Sequence, residues 1–270
     1  MNFLKKIKYK LVDQFIYEYA IKSNAKTFVI LFNLYSRLKK SNNRVYFKKN
    51  RFYNTEVDWR FSHQKQGIYA YGKGFKKRKQ ELLSQYLVEN IKFSDDDIIL
   101  DVGANNGDFY LCFDKKIKYY AYEPSPEVFS NLEYNVKGQN LFNLALSNSE
   151  NKNVNFYLSD EFGDSSILEI SNFTKQVSVK TTSLDNEISK IQKKIKLIKI
   201  EAEGFEPEIL YGLKKYLSDV EYITVDCEFE RGEDDKSTLM ECSNYLINNN
   251  FKMIDFGLPR VVALFQNTSL

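Results

Sequence analysis

Residues 98–107 read Ile-Ile-Leu-Asp-Val-Gly-Ala-Asn-Asn-Gly, an apolar strand that runs directly into a turn with two glycines. A second apolar run, Tyr119–Tyr122, follows and ends at an acidic residue, Glu123. In Rossmann-like sheets, glycines in the first turn let the backbone approach an adenosine-containing cofactor. The acid after the second strand accepts hydrogen bonds from its ribose. The sequence therefore predicts a cofactor site at the ends of these two strands.

The glycine turn differs from the dinucleotide fingerprint G-x-G-x-x-G. Its sequence, D-V-G-A-N-N-G, lacks the packing for a pyrophosphate and suits a cofactor that carries an amino acid. S-adenosylmethionine is the first candidate, and an enzyme that uses NAD or a nucleotide sugar is the alternative. Gly103 and Gly107 would admit the methionine portion, while Asp101 would orient its amino group through charge-assisted hydrogen bonds. The other interpretation is an ordinary strand-to-helix turn, capped by Asn105 or Asn106.

Strands and helices alternate after residue 97, which predicts a parallel sheet with helices on both faces. The predicted strands are 98–102, 118–122, 140–146, 196–200, 220–227, 251–256 and 261–266, and the predicted helices are 107–114, 126–137, 206–216 and 237–249. Only four residues separate the last two strands, so they should pair as an antiparallel hairpin. Class I methyltransferases end in this way, and dehydrogenase domains usually do not. Two further strand-like runs, Val154–Leu158 and Val177–Thr182, predict an inserted ribbon.

The first part of the chain is different in pattern. Residues 1–40 have apolar residues at helical spacing, residues 41–75 lack a clear period, and residues 77–90 predict a helix. We therefore expect a basic, largely helical N-terminal extension or cap over residues 1–90. The remaining residues, 91–270, form the predicted cofactor-binding domain, an α/β Rossmann-like fold with a seven-stranded, mostly parallel sheet and one antiparallel strand.

Five ordered motifs resemble the FkbM-type S-adenosylmethionine-dependent methyltransferases, over roughly residues 68–230. They are Asp101–Gly107, Tyr122–Pro126 (Y-E-P-S-P), Asn143–Ser147 (N-L-A-L-S), Thr182–Asp185 (T-S-L-D) and Lys199–Glu206 (K-I-E-A-E-G-F-E). The departure is Glu201, where the family usually has Asp. The resemblance implies an O-methyltransferase that acts on a hydroxyl of a sugar or glycan precursor, from a surface polysaccharide or a sugar-derived metabolite.

The same resemblance implies a set of cofactor contacts. Asn143 and Ala145 would flank the adenine, although a buried strand end explains them nearly as well. A Tyr-Gly-x-Gly-x-x-x-Arg pattern adds Arg78, which would bind the methionine carboxylate or an acceptor phosphate, or be a solvated helix charge. The predicted cofactor-binding residues are Asp101, Gly103, Ala104, Asn105, Asn106, Gly107, Glu123, Pro124, Ser125, Asn143, Ala145, Tyr71 and Arg78.

Two carboxylates follow the fourth main strand and are the candidates for catalysis. If Glu201 belongs to the strand, alternation places Glu201 and Glu203 on one face, at the sheet edge where ligands of such folds bind. Three roles stay open: a general base, a Mg²⁺ site that includes Glu228, or positioning of the cofactor. His63, the only histidine, is the rival base because it titrates near neutral pH.

Charge is unevenly distributed along the chain. Residues 1–90 contain 20 Lys and Arg against 6 Asp and Glu, whereas the other 180 contain 19 against 30. The basic third suggests an anionic partner, such as a phosphorylated or nucleotide-linked sugar acceptor, and the aromatic segment Tyr53–Tyr71 offers faces for sugar rings. No RNA-binding module is recognisable, so nucleic acid is not expected.

Cysteine usage and hydropathy bear on the compartment. Three cysteines without C-x-x-C spacing indicate a reducing compartment, and the apolar stretch Phe28–Leu34 is too short to span a bilayer. We therefore expect a cytoplasmic protein. The basic segment Lys5–Lys10 leaves open a peripheral contact with anionic lipid at the inner face of the membrane. The corresponding alternative outside catalysis is a membrane-surface binding module with a vestigial nucleotide site.

Overall fold

The computed structural model describes residues 14–158, 165–168, 173–232 and 234–270. The described residues fall into two compact units. The smaller contains described residues up to Arg78, and the larger contains described residues from Lys79 to Leu270. The basic segment Lys5–Lys10 lies outside the described residues.

The smaller unit combines helices with a small antiparallel sheet of order β1-β2-β3. Its elements are α1 (14–21), α2 (Ala25–Leu38), β1 (Val45–Lys48), β2 (Arg51–Asn54), β3 (Trp59–Phe61), α3 (Gln64–Tyr71) and the first turn of α4 (Phe75–Gln85). Helices α1 and α2 confirm the described part of the helical prediction for residues 1–40, of which 1–13 lie outside the described residues, and α4 confirms the helix predicted from residue 77. Helix α3 and the sheet were not predicted. The strands of this sheet are three or four residues long, too short for alternation to be recognised in the sequence.

Aromatic side chains form the core of this unit. Phe28 packs edge-on against Phe52 with ring centroids 4.7 Å apart, and Phe52 stacks on Phe61 at 5.3 Å. All three rings are buried. Much of the segment Tyr53–Tyr71 is therefore committed to packing, since Trp59 and Tyr71 are buried as well, while Tyr69 stays 64% exposed.

The larger unit contains the remaining elements. They are β4 (Ile98–Val102), β5 (Lys118–Tyr122), α5 (Pro126–Asn135), β6 (Asn140–Phe142), β7 (Ala145–Leu146), β8 (Asn153–Leu158), β9 (Lys175–Thr182), α6 (Leu184–Ile191), β10 (Ile195–Ile200), α7 (Glu206–Tyr211), β11 (Val220–Asp226), β12 (Phe229–Arg231), β13 (Lys236–Ser237), α8 (Leu239–Ile247), β14 (Phe251–Gly257) and β15 (Val262–Asn267), with 3₁₀ turns at Asp108–Cys112 and Leu217–Asp219.

The seven-stranded sheet has the order β14-β15-β11-β10-β4-β5-β6. Strand β15 is antiparallel to both of its neighbours, β11 and β14, and the other pairings are parallel. This confirms the predicted fold class: an α/β, class I methyltransferase sheet with one antiparallel strand. The chain reverses its strand order between β4 and β10. Ligands of open α/β sheets bind outside the carboxyl ends of the strands at such a point.

The central strands explain why this sheet forms. Every residue of β4 is buried, and so are five of the six residues of β10. Strands buried on both faces are expected to be continuous apolar runs, as 98–100 and 197–198 are. Each fully buried Leu, Ile or Val contributes about 1.5–3 kcal/mol to folding. The exceptions in these runs, Asp101 and Lys199, are therefore conspicuous.

Four sequence-based elements differ from the structure in type or by more than two residues. The helix predicted at 77–90 ends at Gln85. The helix predicted at 107–114 is a short 3₁₀ turn, Asp108–Cys112. The strand predicted at 140–146 is split, because β6 pairs with β5 whereas β7 pairs with β9 in another sheet. The helix predicted at 206–216 ends at Tyr211. The predicted ribbon is confirmed as the antiparallel pair of β8 and β9.

Within the described parts of the chain, no helix has the length and apolarity needed to cross a membrane. Cys112, Cys227 and Cys242 are buried free thiols.

Candidate active site

The turn after β4 is shaped by the absence of a side chain at Gly103. Its φ of +73° lies in the left-handed region, and a Cβ atom would lie 1.8 Å from the carbonyl oxygen of Glu201. The turn after β4 is therefore packed directly on the turn after β10. Only glycine allows both this backbone conformation and this close approach. The two predicted motifs meet here.

Each backbone N–H from Gly103 to Gly107 has an acceptor within the protein. Gly103 and Ala104 both donate to the carbonyl of Tyr122, and Gly107 donates to Ala104. Asn105 donates to a carboxylate oxygen of Glu123 at 2.9 Å, and Asn106 to the side chain of Asn105 at 2.8 Å. A phosphate-binding turn points free N–H groups at its ligand. In this turn those N–H groups are already bonded within the protein, so none is free for a phosphate.

Glu123 connects this turn to the one after β5. One carboxylate oxygen accepts the N–H of Asn105 and the other accepts the N–H of Ser125 at 2.8 Å. Burial raises the pKa of Glu123 to about 7, although these two hydrogen bonds lower the pKa and offset part of the rise. Each oxygen keeps a second lone pair. The carboxylate can therefore accept two further hydrogen bonds, which is the number that the ribose diol of an adenosine cofactor offers.

Other predicted cofactor residues surround Glu123. The side chain of Asn143 donates to the carbonyls of Glu123 and Pro124 at 2.8 and 2.9 Å, and thereby fixes the turn between them. Ser125 is the N-cap of α5, and its hydroxyl accepts from Val128. These contacts place Asn143, Pro124 and Ser125 together with Glu123.

The predicted Ala145 and Asn106 lie at the edges of this group. Ala145 is buried in β7, opposite Thr181 of β9. Asn106 accepts a hydrogen bond from the side chain of Asn131 at 3.0 Å, and its carbonyl accepts from Asn135 at 2.8 Å. Helix α5 therefore holds the far end of the glycine turn in place.

Asp101 is fully buried and both of its carboxylate oxygens are engaged. One oxygen pairs with the ammonium group of Lys199 at 2.9 Å, and the other accepts the hydroxyl of Tyr119. Burial raises the pKa of Asp101, while Lys199 opposes that rise. The side chain is enclosed within the sheet, and its prediction as a direct ligand of the cofactor amino group stays a prediction.

Lys199 was not among the predicted site residues. It is 3% exposed and lies opposite Asp101 in the register of β10 and β4. Its ammonium group donates to the carbonyl of Gly103 at 2.8 Å and pairs with Glu201 at 3.1 Å. Its position inside the apolar run 195–200 is the signal in the sequence that could have identified it, because a lysine buried in such a run is almost always paired with an acid.

Glu201 is held by three side chains. One carboxylate oxygen accepts from Arg260 at 3.0 Å, and the other accepts the hydroxyl of Tyr86 and faces Lys199. Burial alone would raise the pKa of Glu201, but the charges of Lys199 and Arg260 hold it well below its usual range. So acidic a carboxyl is a weak proton acceptor. These surroundings favour the positioning role over the general-base role.

Arg260, from the turn between β14 and β15, is the second residue that the sequence analysis missed. Its guanidinium contacts three carboxylates: Asp226 at 2.5 Å, Glu228 at 2.8 Å and Glu201 at 3.0 Å. Burial and the charge of Glu201 raise the pKa of Asp226, despite Arg260. The hairpin predicted from the sequence therefore supplies the cation that gathers the acids at the carboxyl ends of β10 and β11.

Glu203 occupies a strained position in the turn between β10 and α7. Its φ is +49°, which is uncommon for a residue other than glycine and costs about 1–3 kcal/mol. Glu206 holds this turn by accepting the N–H groups of Ala202 and Gly204 at 2.9 and 3.1 Å. Strain of this kind persists where the surroundings over-determine the backbone, and it concentrates at functional sites.

The side chain of Glu203 is half-buried and hydrogen-bonded to that of Glu230. Burial raises the pKa of Glu230 to the neutral range, and the nearby carboxylates Glu201 and Glu228 act in the same direction. Glu203 and Glu230 therefore lie together beside the carboxylates that Arg260 contacts, Glu201 and Glu228.

The described residues do not support the Mg²⁺ site that was left open for Glu201, Glu203 and Glu228. No group of three or more His, Cys, Asp or Glu side chains in this part of the chain is placed to hold a metal ion. The physical reason is visible at Arg260, since the carboxylates of Glu201 and Glu228 face its guanidinium.

Three predicted residues lie in the smaller unit. Tyr71 is fully buried there: it stacks on Phe75 and accepts a hydrogen bond from Trp59 at 3.1 Å, so no face of the ring is open to a ligand. Arg78 lies on α4, and His63 is the N-cap residue of α3 without a side-chain capping bond. Their roles toward cofactor and acceptor stay predictions.

The strand order, the glycine turn after the first strand of the sheet and the acid after the second define a class I methyltransferase. Residues 101–254, more than half of the chain, match the methyltransferase FkbM domain. The chain belongs to the FkbM methyltransferase family and is a methyltransferase. This confirms the family named from the five motifs.

Known proteins with similarity to the chain include a hexuronic acid methyltransferase, AglP, from Haloferax volcanii. It is 29% identical over 183 residues, which span 64% of this chain and 72% of that protein. Among solved structures, an FkbM methyltransferase from Methylobacillus flagellatus KT has a TM-score of 0.48 and 14% identity, covering 75% of this chain. This chain spans 53% of that one, about half its length.

A second solved structure with similarity is a magnesium protoporphyrin IX methyltransferase from Synechocystis PCC 6803 with bound S-adenosylmethionine. Its TM-score is 0.44 at 8% identity, and the match covers 76% of this chain and 83% of that one.

Proposed function

We propose that the protein transfers a methyl group from S-adenosylmethionine to a sugar hydroxyl of a glycan or glycan precursor. The observation that supports this cofactor is the hydrogen bonding of the turn Gly103–Gly107. Its N–H groups are used internally, and Glu123 accepts from Asn105 while keeping lone pairs for the ribose. Such a site favours a cofactor with a ribose and an amino acid over one with a pyrophosphate.

The sugar acceptor is supported by the relative that methylates a hexuronic acid. A sugar hydroxyl must lose a proton as its oxygen attacks the methyl group, so a nearby proton acceptor is required. We assign this role to Glu203, because its half-buried side chain lies in the turn after β10 beside Glu230, whereas Lys199 and Arg260 hold Glu201 in its ionised form and make it a weak proton acceptor. Alignment of the two substrates supplies a further several kcal/mol of the barrier.

The cofactor is tested by calorimetric titration. S-adenosylmethionine and S-adenosylhomocysteine are expected to bind and to raise the melting temperature, whereas NAD and NADP are not. In Glu123→Gln, affinity should fall by about 1–3 kcal/mol, because the ribose loses a charged acceptor. Binding of NAD alone would contradict the proposed cofactor.

The pH dependence of this calorimetric titration tests whether ionised Glu123 binds the cofactor. The pKa of Glu123 is raised to about 7 in the protein without cofactor, and the ribose hydroxyls donate to the ionised form. Affinity should therefore increase as the pH rises through about 7 and should level off above it. In Glu123→Gln this pH dependence should disappear. If it persists unchanged, another group is responsible.

The acceptor is tested by incubating the protein with radiolabelled S-adenosylmethionine and uronic-acid or neutral-sugar glycans, followed by mild alkali. A methyl ether on a hydroxyl survives alkali, whereas a methyl ester on a uronic carboxylate is hydrolysed. We expect label that is stable to alkali. Label released by alkali would move the reaction to the carboxylate, an oxygen that needs no base. Absence of transfer to any sugar would contradict the acceptor class.

A further inference from the structure

Lys199 is the most deeply buried cation whose contacts are described in the site. Its side chain is 3% exposed and lies 5.2 Å above the ring of Tyr86. An ammonium group loses strong hydration when it is buried, so such a residue is stable only with several acceptors around it. The acceptors that surround Lys199 therefore indicate what the protein gains from it.

Four oxygen atoms surround the ammonium group of Lys199. It donates to the carbonyls of Gly103 at 2.8 Å and Val102 at 3.5 Å, and it forms ion pairs with the carboxylates of Asp101 at 2.9 Å and Glu201 at 3.1 Å. An ammonium group has three hydrogens. Because four protein oxygens surround these three hydrogens, Lys199 has no donor left for a ligand, and its contribution to the site is made through these neighbours.

The carboxylate of Asp101 is held in place, as the ammonium group of Lys199 is. One of its oxygens accepts the hydroxyl of Tyr119, the other forms an ion pair with Lys199, and the side chain is fully buried. The pair thus forms a rigid support beneath the Gly103 carbonyl, which lies in the turn that receives the cofactor. Gly103 is also pressed against the carbonyl of Glu201, so a shift of either turn would disturb the other.

We propose that Lys199 is a positioning residue that joins the cofactor turn Gly103–Gly107 to the carboxylates around Arg260, through its ion pair with Glu201, and that Asp101 acts on the cofactor through Lys199 and Gly103. The inference rests on the proposed cofactor. It predicts that Lys199 affects the affinity for the cofactor as well as the stability of the fold. A lysine that only stabilised the fold would affect unfolding and leave the binding of folded protein unchanged.

The test uses the full chain and S-adenosylhomocysteine as the probe. Lys199→Met should raise the dissociation constant at least tenfold, because the Gly103 carbonyl loses its donor and the turn loses its support. Lys199→Met/Asp101→Asn removes the unpaired buried carboxylate that the single variant leaves. The double variant should regain part of the lost melting temperature while its affinity stays at least tenfold weaker.

Lys196→Met is the matched control, because Lys196 lies on the same strand and also combines a carboxylate partner with a tyrosine ring, but is more exposed, at 18% against 3%. It pairs with Glu221 at 2.8 Å and lies 5.1 Å above the ring of Tyr222. Its affinity should stay within twofold of the wild-type value. Wild-type affinity in the double variant, or an equal loss in Lys196→Met, would overturn the role of Lys199. Failure of the wild-type protein to bind the probe would instead contradict the proposed cofactor.

Discussion

Gly103→Ala is expected to destabilise the larger unit by about 3 kcal/mol or more and to abolish cofactor binding. A φ of +73° is unfavourable for alanine, and the new Cβ would lie 1.8 Å from the Glu201 carbonyl oxygen. That atom is backbone, so the clash can be relieved only by separating the turns after β4 and β10. Urea unfolding measures the first effect, and titration with S-adenosylhomocysteine measures the second.

Gly138→Ala separates the two causes of this loss. Gly138 has a φ of +76°, nearly that of Gly103, but a Cβ atom there would meet nothing within 4 Å. Its substitution should therefore cost only the conformational strain, about 1–2 kcal/mol, and leave the cofactor affinity unchanged. If both variants lost the same stability, the close approach of the two turns would be unimportant.

The part of the site that could be predicted from sequence is the part built from local pattern. Residues 98–107 and the acid at Glu123 predicted two strands, their turns and their common edge, and the structure has each of them. The antiparallel last strand followed from a connection too short for a crossover. Each of these inferences needs only residues that are close in the chain or one rule of topology.

The ion pairs of Lys199 and Arg260 could not be predicted in the same way. Lys199 meets Asp101 because β10 and β4 pair in a register that sets the two residues side by side. Arg260 reaches Glu201 from a hairpin turn that is remote in sequence. Such contacts depend on the three-dimensional arrangement of separate strands. The sequence showed which carboxylates follow β10, but their different environments became visible only with their partners.

The difference between Glu201 and Glu203 leads to the second large effect, which concerns turnover. Glu203→Gln should lower kcat by about 10²–10⁴ because the acceptor hydroxyl loses its proton acceptor. The dissociation constant of S-adenosylhomocysteine should change little. Glu201→Gln should give the opposite result, weaker cofactor binding and lower stability, because it disrupts the contacts with Lys199, Arg260 and Tyr86.

Two further measurements complete this test: the rate in the presence of a chelator, and the stability of the methylated product to alkali. Addition of EDTA should leave the wild-type rate unchanged, since a base needs no metal, and a loss restored by Mg²⁺ would contradict the base. Unchanged kcat in Glu203→Gln with an alkali-stable product would transfer the role of base to another residue, with His63 the next to test. Unchanged kcat with an alkali-labile product would instead mean that the acceptor atom is a carboxylate oxygen. In that case alignment alone would supply the catalysis, because the attacking oxygen is already ionised.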